Sequence, residues 1–277
     1  MIHSGNIRFC YYVLIMAIIG VSGITASAQN RTYDREFCSN NWSNGDKVSF
    51  NEVRESTLPS GSLTVDGKRN GGISVKGENR SDILIRACVR TWGTSDEEAR
   101  SMAKNIRIET NGTIRAEGTD DEKNWSVSYE ILVPRNTNLK LTTMNGGIRI
   151  SDVDGNIEFE AKNGGIHLSN LAGSVKGRTT NGGVHIELTG NTWKGNGLDV
   201  ETTNGGVHLS MSENYAARFE TKTVNGGFRS EIAALNVEKK EDDRYRTNGV
   251  NISKDINGGG ALIRVVTTNG GVKIESK

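Results

Sequence analysis

The chain has 277 residues, with 34 Lys and Arg against 33 Asp and Glu, for a formal net charge of +1. This near neutrality argues against a nucleic-acid partner and against general attraction to a membrane surface. Two prolines against 34 glycines are unlike a Pro/Gly-rich disordered linker, so the chain is expected to fold.

The N-terminus has the pattern of a secretory signal peptide. Val13–Ile24 is almost entirely apolar, and the small-x-small sequence "ASA" follows at 26–28. We predict a signal peptide over 1–28 and a mature chain that starts at Gln29 and is periplasmic, cell-surface or secreted. An uncleaved anchor is the alternative, but a spanning helix needs about 20 apolar residues. No integral membrane segment is expected after cleavage.

Two cysteines remain after this cleavage, Cys38 and Cys88. Disulfides persist in oxidising compartments, so the predicted export favours one bridge between them. Two buried free thiols are the alternative. Closing a loop of this length removes about 4 kcal/mol of unfolded-state entropy in the chain model.

Residues 29–135 are predicted to form a β-rich capping region with one short helix. The helix is expected over "TSDEEARSMAKNI", where a capping box pairs Thr94 with Glu97 or Ser95 with Glu98. An uncovered sheet edge invites aggregation, so we expect this helix to cover one end of the protein. Three tryptophans are expected in the core or at this cap: Trp42, Trp92 and Trp125.

Residues 136–277 are dominated by a repeat of Asn-Gly-Gly. Counting one earlier copy, the motif begins at Asn70, Asn145, Asn163, Asn181, Asn204, Asn225, Asn257 and Asn269. Central spacings of 18, 18, 23 and 21 residues indicate stacked supersecondary units. Each unit contains two short alternating strands. Asn and Gly are expected to provide the positive φ of tight turns.

Two architectures fit this repeat: an antiparallel meander with Asn-Gly hairpins and a parallel β-solenoid. The residues three positions before the motif favour the second; they are Thr142, Glu160, Arg178, Glu201 and Lys222. In a direct stack the last four alternate in charge, and such pairs contribute roughly 0.2–1 kcal/mol each. The asparagines would form a ladder of side-chain amides. We therefore predict an all-β protein with a parallel β-solenoid over 136–277.

Four stretches resemble the bacterial putative-adhesin family: "LPSGSLTVDGKRNGGISVKG", "WSVSYEILVPRNTNLKLTTMNGGIRI", "GNTWKGNGLDVETTNGGVHL" and "INGGGALIRVVTTNGGVKI". Members are exported β-solenoid domains of unknown biochemical activity, and the resemblance covers most of residues 58–277. It implies export and a repetitive β architecture. It implies no catalytic residues, because the family's motifs are structural glycines and asparagines.

His167, His185 and His208 each lie four residues after a repeat asparagine. In a solenoid they form one column, flanked by Arg149 and Arg229, at strand spacing. Neighbouring imidazoles at that spacing suit Zn²⁺ or Cu²⁺. A polar outward position repeated with the unit is favoured instead, because no partners that would orient the ligands can be located. The histidines are therefore candidate binding residues, and no metal or cofactor is predicted.

Trp193, in "GNTWKGNG", is a further candidate binding residue, as an exposed platform for a sugar or a partner side chain. The favoured alternative is that it folds over a corner of the solenoid and covers a neighbouring coil.

Four acids are candidates for the carboxylate pair of a glycoside hydrolase: Glu158, Glu160, Asp199 and Glu201. Repeated charges on a solenoid face are usually solvated, and the sequence has no nucleophile elbow, phosphate loop or zinc-spaced cysteine set. We therefore predict a non-enzymatic scaffold or adhesin-like protein whose surface ligand is a glycan or a protein. The alternative is an enzyme that acts on cell-envelope polysaccharide.

Overall fold

The computed structural model describes residues 37–39, 47–119, 123–235 and 249–277. The predicted signal peptide over 1–28 and the position of Trp42 lie outside these residues. Among the described residues, no helix is long and apolar enough to cross a membrane. The described chain is mostly β, in two large mixed sheets.

The first sheet has ten strands within the described residues. Their order across the sheet is β1 (Val48–Pro59), β4 (Asp82–Gly93), β7 (Trp125–Pro134), β3 (Ile73–Glu78), β9 (Ile148–Ser151), β11 (Ile166–Ser169), β13 (Val184–Glu187), β15 (Val207–Met211), β20 (Val272–Ser276) and β17 (Phe228–Ser230).

The second sheet also has ten strands within the described ranges. Their order is β18 (Asn251–Ile256), β16 (Ala217–Asn225), β19 (Leu262–Asn269), β14 (Gly197–Asn204), β12 (Ala172–Asn181), β10 (Asp154–Asn163), β8 (Leu139–Thr143), β2 (Leu63–Asp66), β6 (Thr113–Glu117) and β5 (Arg107–Glu109). A 3-10 turn covers Ala233–Leu235.

Consecutive repeat units stack in parallel, each adding one strand to each sheet. β10 pairs with β12 so that Glu160 faces Arg178 and Asn163 faces Asn181. The meander is wrong for these units, because it would separate these residues by an intervening strand. The predicted parallel β-solenoid is confirmed only in part, because β1–β4, β4–β7, β5–β6 and β16–β18 pair antiparallel.

The last unit of the chain is inserted between the two units that precede it in sequence. β19 lies between β14 and β16, and β20 lies between β15 and β17. The predicted contact of Glu201 with Lys222 is therefore wrong, since Val266 separates them. Likewise Lys273, and not Arg229, is the neighbour of His208. Repeat spacing alone gives no sign of this insertion, because it depends on where the chain returns after β18.

The core lies between the two sheets and is built from stacked apolar side chains. In each unit the inward positions of both strands are buried; in the second sheet one such row is Ile157, Val175, Leu198 and Ile263. The first threonine of "TTNGG" is also buried, and its hydroxyl donates to a glycine carbonyl of the adjacent unit. Examples are Thr179 to Gly164 at 2.9 Å and Thr202 to Gly182 at 2.8 Å. The buried hydroxyl thus has a partner, as burial requires.

The predicted helix is present as α1 (Asp96–Asn105), and it packs against β1 and β4 at one end of the first sheet. Ser95 is its N-cap, and its hydroxyl accepts from the Glu98 N–H at 3.2 Å. The Glu98 carboxylate reaches back to the Thr94 N–H at 2.6 Å, one residue beyond a standard capping box. The helix lies across both strands, and its Ala103 joins the core, so it covers the core at this end; protection of the β1 edge stays a prediction.

A disulfide joins Cys38 to Cys88, with 5.5 Å between the Cα atoms. It fastens the described segment 37–39 to β4. Trp92 and Trp125 are buried in the same part of the protein. The division of the mature chain at residue 135 stays a prediction, although strands from both sides of it pair within the same two sheets.

Candidate ligand-binding face

The repeat asparagines form a ladder along one corner of the stack. Each side-chain amide donates to the oxygen of the preceding asparagine at 2.7–3.2 Å, in the order Asn70, Asn145, Asn163, Asn181, Asn204, Asn269 and Asn225. Asn257 lies outside the ladder; its amide donates to the carbonyls of Glu213 and Tyr215. The ladder is structural, since its hydrogen bonds run within the stack.

The expected positive φ of these motifs is wrong for the ladder. Among the described residues, Asn257 is the one repeat asparagine with positive φ, at 48°. In the units at the centre of the stack, positive φ occurs instead at the opposite corner, at Asp152 (60°) and Asn170 (50°). The chain therefore turns at the Asn-Gly-Gly corner without left-handed backbone, and its glycines serve other purposes.

The two glycines of each motif have different surroundings. A Cβ on the first glycine, as at Gly182, would overlap the carbonyl of Gly164 in the next unit. A Cβ on the second, Gly183, would come no closer than 3.7 Å to the Gly206 oxygen, an ordinary contact. Close stacking of the units thus requires the first glycine, whereas packing leaves room for a side chain at the second.

The second sheet presents outward columns of alternating charge, which we call the alternating face. One column runs Lys140, Glu158, Lys176, Asp199, Arg264 and Glu220, and the next runs Glu160, Arg178 and Glu201. The second column was predicted from the sequence. The first was not, although its residues show the same spacing two positions earlier. Each charge here has an opposite charge on a neighbouring strand, so this face is close to self-neutralised.

Ion pairs hold the alternating face together. Arg178 lies 2.9 Å from Glu160. Arg264 contacts both Asp199 and Glu201 at 2.5 Å. Burial of Arg264 works against its charge, but these hydrogen bonds and charges outweigh burial and raise the pKa of the guanidinium.

The carboxylates considered for glycoside hydrolysis lie on this face. Glu160, Asp199 and Glu201 are bound by arginines of adjacent strands, and Glu158 lies in register between Lys140 and Lys176. A groove crosses these residues. The arrangement uses the acids as cross-strand partners, which gives none of them the apolar surroundings of a raised-pKa general acid.

The first sheet presents a different arrangement on its outward surface. Six basic or titratable side chains lie in register on six neighbouring strands; this cationic column consists of Arg149, His167, His185, His208, Lys273 and Arg229. The rings of His167 and His185 stack with centroids 4.9 Å apart, and those of His185 and His208 are 5.6 Å apart. The structure thus brings together all three histidines predicted from the sequence.

Few acids neutralise this column. Glu275 approaches His208 at 2.7 Å and also contacts Lys273. Within the described parts of the chain, Arg149, His167, His185 and Arg229 have no ion-pair partner. Burial, with the charges of His185 and Arg149, lowers the pKa of His167. The column is a strip of positive and potentially positive groups that repel one another.

An open groove of about 490 Å³ runs beside the column. Its floor is formed by the second glycines of the repeat, including Gly183, Gly206 and Gly271, and its wall by His185, His208, Lys273 and Arg229. On the other side of the column lie Ser151, Ser169, Glu187, Ser210 and Glu275. A ligand can therefore lie against the backbone while it contacts charged and hydroxyl groups.

The described residues contain no group of three or more His, Cys, Asp or Glu side chains arranged to hold a metal ion. The near-parallel stacking of His167 on His185, with 5° between the ring planes, explains this for the histidines. Stacked rings present faces to one another and do not direct their nitrogens to a common point.

Trp193 is buried, with 6 % of its surface exposed, and its indole N–H donates to the Gly173 carbonyl at 3.0 Å. It packs over a corner, which is the favoured alternative. The idea of Trp193 as an exposed binding platform is corrected, because its ring faces the core.

The chain matches one described protein family and several solved structures. The model of a family described as Toastrack DUF4097 matches residues 55–275. No match was found among curated protein sequences.

Three solved structures are among those that match this chain. A "putative cell adhesion protein" from Clostridium sporogenes is 12% identical over 83% of this chain and 100% of its own, with a TM-score of 0.42. A "putative adhesin" from Bacteroides fragilis is 10% identical, covering 81% and 97%, with a TM-score of 0.40. A "putative lipid binding protein" from Parabacteroides distasonis is 8% identical, covering 84% and 98%, with a TM-score of 0.27.

Proposed function

The chain belongs to the Toastrack DUF4097 family, and we propose that it is an exported, non-enzymatic scaffold that binds a surface ligand along its cationic column. In this proposal residues 136–277 form the parallel solenoid that displays the column, and residues 29–135 cap it. Export rests on the signal-peptide pattern of 1–28 and agrees with the Cys38–Cys88 disulfide.

One observation carries the proposal, namely that the cationic column places like charges side by side. Like charges directly opposite each other on adjacent strands destabilise a sheet. Lys273 next to Arg229, and Arg149 next to His167, are such pairs. Repulsion between such neighbours opposes folding, whereas a bound partner of opposite charge is attracted to them.

The experiment tests binding and turnover together. The mature chain from Gln29 is applied to a glycan array, and each glycan that binds is then followed in a reducing-sugar release assay. We expect binding without release of product. Sugar release that disappears when one carboxylate is replaced would contradict the non-enzymatic assignment and support the enzyme alternative.

A matched pair of double variants locates the binding face. Gly183→Leu with Gly206→Leu places side chains in the groove, where nothing in the protein lies closer than 3.4 Å to the added Cβ atoms. The control variant, Thr180→Leu with Thr203→Leu, adds two leucines to the same two repeat units. Both positions are exposed and lie outside the groove. We expect the first variant to fold and lose binding and the second to retain it. A folded groove variant with full binding would contradict the proposed face.

A further inference from the structure

We propose that the ligand of the cationic column is a linear acidic polysaccharide, and that the three histidines make its binding tighter as the pH falls. This inference rests on the proposed function and names the ligand class for the same site.

The regular spacing of the column favours a polymer. Six side chains occupy six neighbouring strands, and neighbouring strands lie about 4.8 Å apart. A small anion uses one or two such positions and leaves the rest unpaired. A polymer with an anionic group in each repeat can contact every position of the column. Once one group is bound, the others bind intramolecularly, so each contact adds to the affinity.

The charges of the surface favour an acidic ligand. Arg149, Lys273 and Arg229 are cationic at all relevant pH values, and protonation of the histidines adds up to three charges. Three acids lie beside the column, namely Glu187, Glu231 and Glu275. Glu187 contacts Lys277, and the charge of Glu231 acts on Lys273. With the histidines protonated, the cations of the column outnumber these acids. Such a one-sided strip attracts anions and has little to offer a neutral polymer.

The remaining groups favour a ligand rich in hydroxyls. Ser151, Ser169 and Ser210 lie beside the column, and among the described residues their hydroxyls have no hydrogen-bond partner. The glycine floor on the other side lets a sugar ring approach the backbone. An acidic polysaccharide supplies both the negative charges for the column and the hydroxyls for the serines.

The histidines make the site sensitive to pH. His167 lies between Arg149 and His185, and His185 lies between His167 and His208 with Glu187 on its own strand. His208 faces Lys273 on the next strand and is close to Glu275. In the free protein, burial and the charges of His185 and Arg149 oppose protonation of His167 and lower its pKa. A bound polyanion offsets that opposition, so proton uptake and binding favour each other.

The test measures binding of alginate, a linear polymer of uronic acids, and of dextran, a neutral polymer, to the mature protein. We expect alginate to bind about tenfold more tightly at about pH 5.5 than at about pH 8, on either side of the ordinary histidine pKa of about 6.5. Dextran is expected not to bind at either pH. Equal binding of dextran would overturn the acidic ligand while leaving the proposed binding face standing.

Two variants separate the column from general attraction between charges. His167→Gln, His185→Gln and His208→Gln together should abolish the pH dependence. Lys140→Gln, Lys176→Gln and Arg178→Gln together remove three cations from the alternating face and should leave alginate binding unchanged. Persistent pH dependence in the histidine variant, or equal loss in both variants, would overturn the inference.

Duplex DNA serves as a competitor of a different chemical class. We expect it to displace alginate poorly, because a stiff duplex cannot lie in the groove against the glycine floor. Displacement by DNA as efficient as by free alginate would overturn the assignment to a polysaccharide. If no glycan tested binds at the cationic column, the proposed function is overturned as well.

Discussion

The outward surfaces of the two sheets are built from the same repeat and use charge in opposite ways. On the alternating face an acid stands beside a base on the next strand, as for Glu160 and Arg178. On the cationic column, bases stand beside bases and histidines beside histidines. Cross-strand pairs of opposite charge stabilise a sheet and set its register, and like pairs do the reverse. The first surface is thus explained by folding, and the second calls for a partner.

The two glycines of each repeat unit show the same division between fold and surface. The first glycine is required, because any side chain meets the backbone of the neighbouring unit. The second lies on the cationic side and has space above it. Replacing each glycine of one motif in turn therefore tests directly which position is needed for the units to stack.

The largest effect is expected from Gly182→Ala compared with Gly183→Ala. The first forces apart two units whose backbones are in contact and should cost about 3 kcal/mol of unfolding free energy. The second should change stability by less than about 0.5 kcal/mol. Urea unfolding of both variants measures this. Equal midpoints would contradict the different roles assigned to the two glycines.

A smaller effect tests the alternating face. A double-mutant cycle on Glu160 and Arg178, with both replaced by alanine, should give a coupling of a few tenths of a kcal/mol. Both side chains are more than half exposed, so added salt should weaken the coupling. The corresponding cycle on Arg149 and His167 should give no favourable coupling at any salt concentration. A favourable coupling there would remove the contrast between the two faces.

Neighbours that follow from the 18-residue spacing were predictable from the sequence. Neighbours that depend on the order in which distant strands pair were not. Glu160 and Arg178 were predicted to be neighbours because equal spacing brings equivalent positions together in a stack. The column of Lys140, Glu158 and Lys176 was available from the same spacing two residues earlier. The position of Lys273 beside His208 was not available, because the insertion of β19 and β20 depends on long-range pairing.

The burial of single residues and local backbone geometry were also beyond the sequence pattern. For Trp193 the sequence favoured a covered corner over an exposed platform but left both open, because the path of the neighbouring loop was unknown. The positive φ at Asp152 and Asn170 lies where the sequences "SDVDGN" and "SNLAGS" align. Those residue types favour left-handed backbone, but the Asn-Gly-Gly motif gave a stronger turn signal at the wrong corner.

The central claim, that the alternating face serves the fold and the cationic column serves a ligand, is tested most directly by stability at low pH without ligand. The pKa of His167 is lowered in the folded protein, so near and below about pH 6.5 the unfolded chain binds more protons and the fold loses stability as pH falls. We compare urea unfolding at about pH 5.5 of the wild type with two variants carrying three glutamines each, as already defined, on the cationic column and on the alternating face.

The account predicts that the variant with His167, His185 and His208 replaced is at least as stable as the wild type at this pH, because it lacks His167, whose protonation the folded protein opposes. It predicts that the variant with Lys140, Lys176 and Arg178 replaced is less stable, because Glu158, Asp199 and Glu160 lose their cross-strand partners. A histidine variant that is less stable than the wild type, with a lysine variant that is unchanged, would contradict the account.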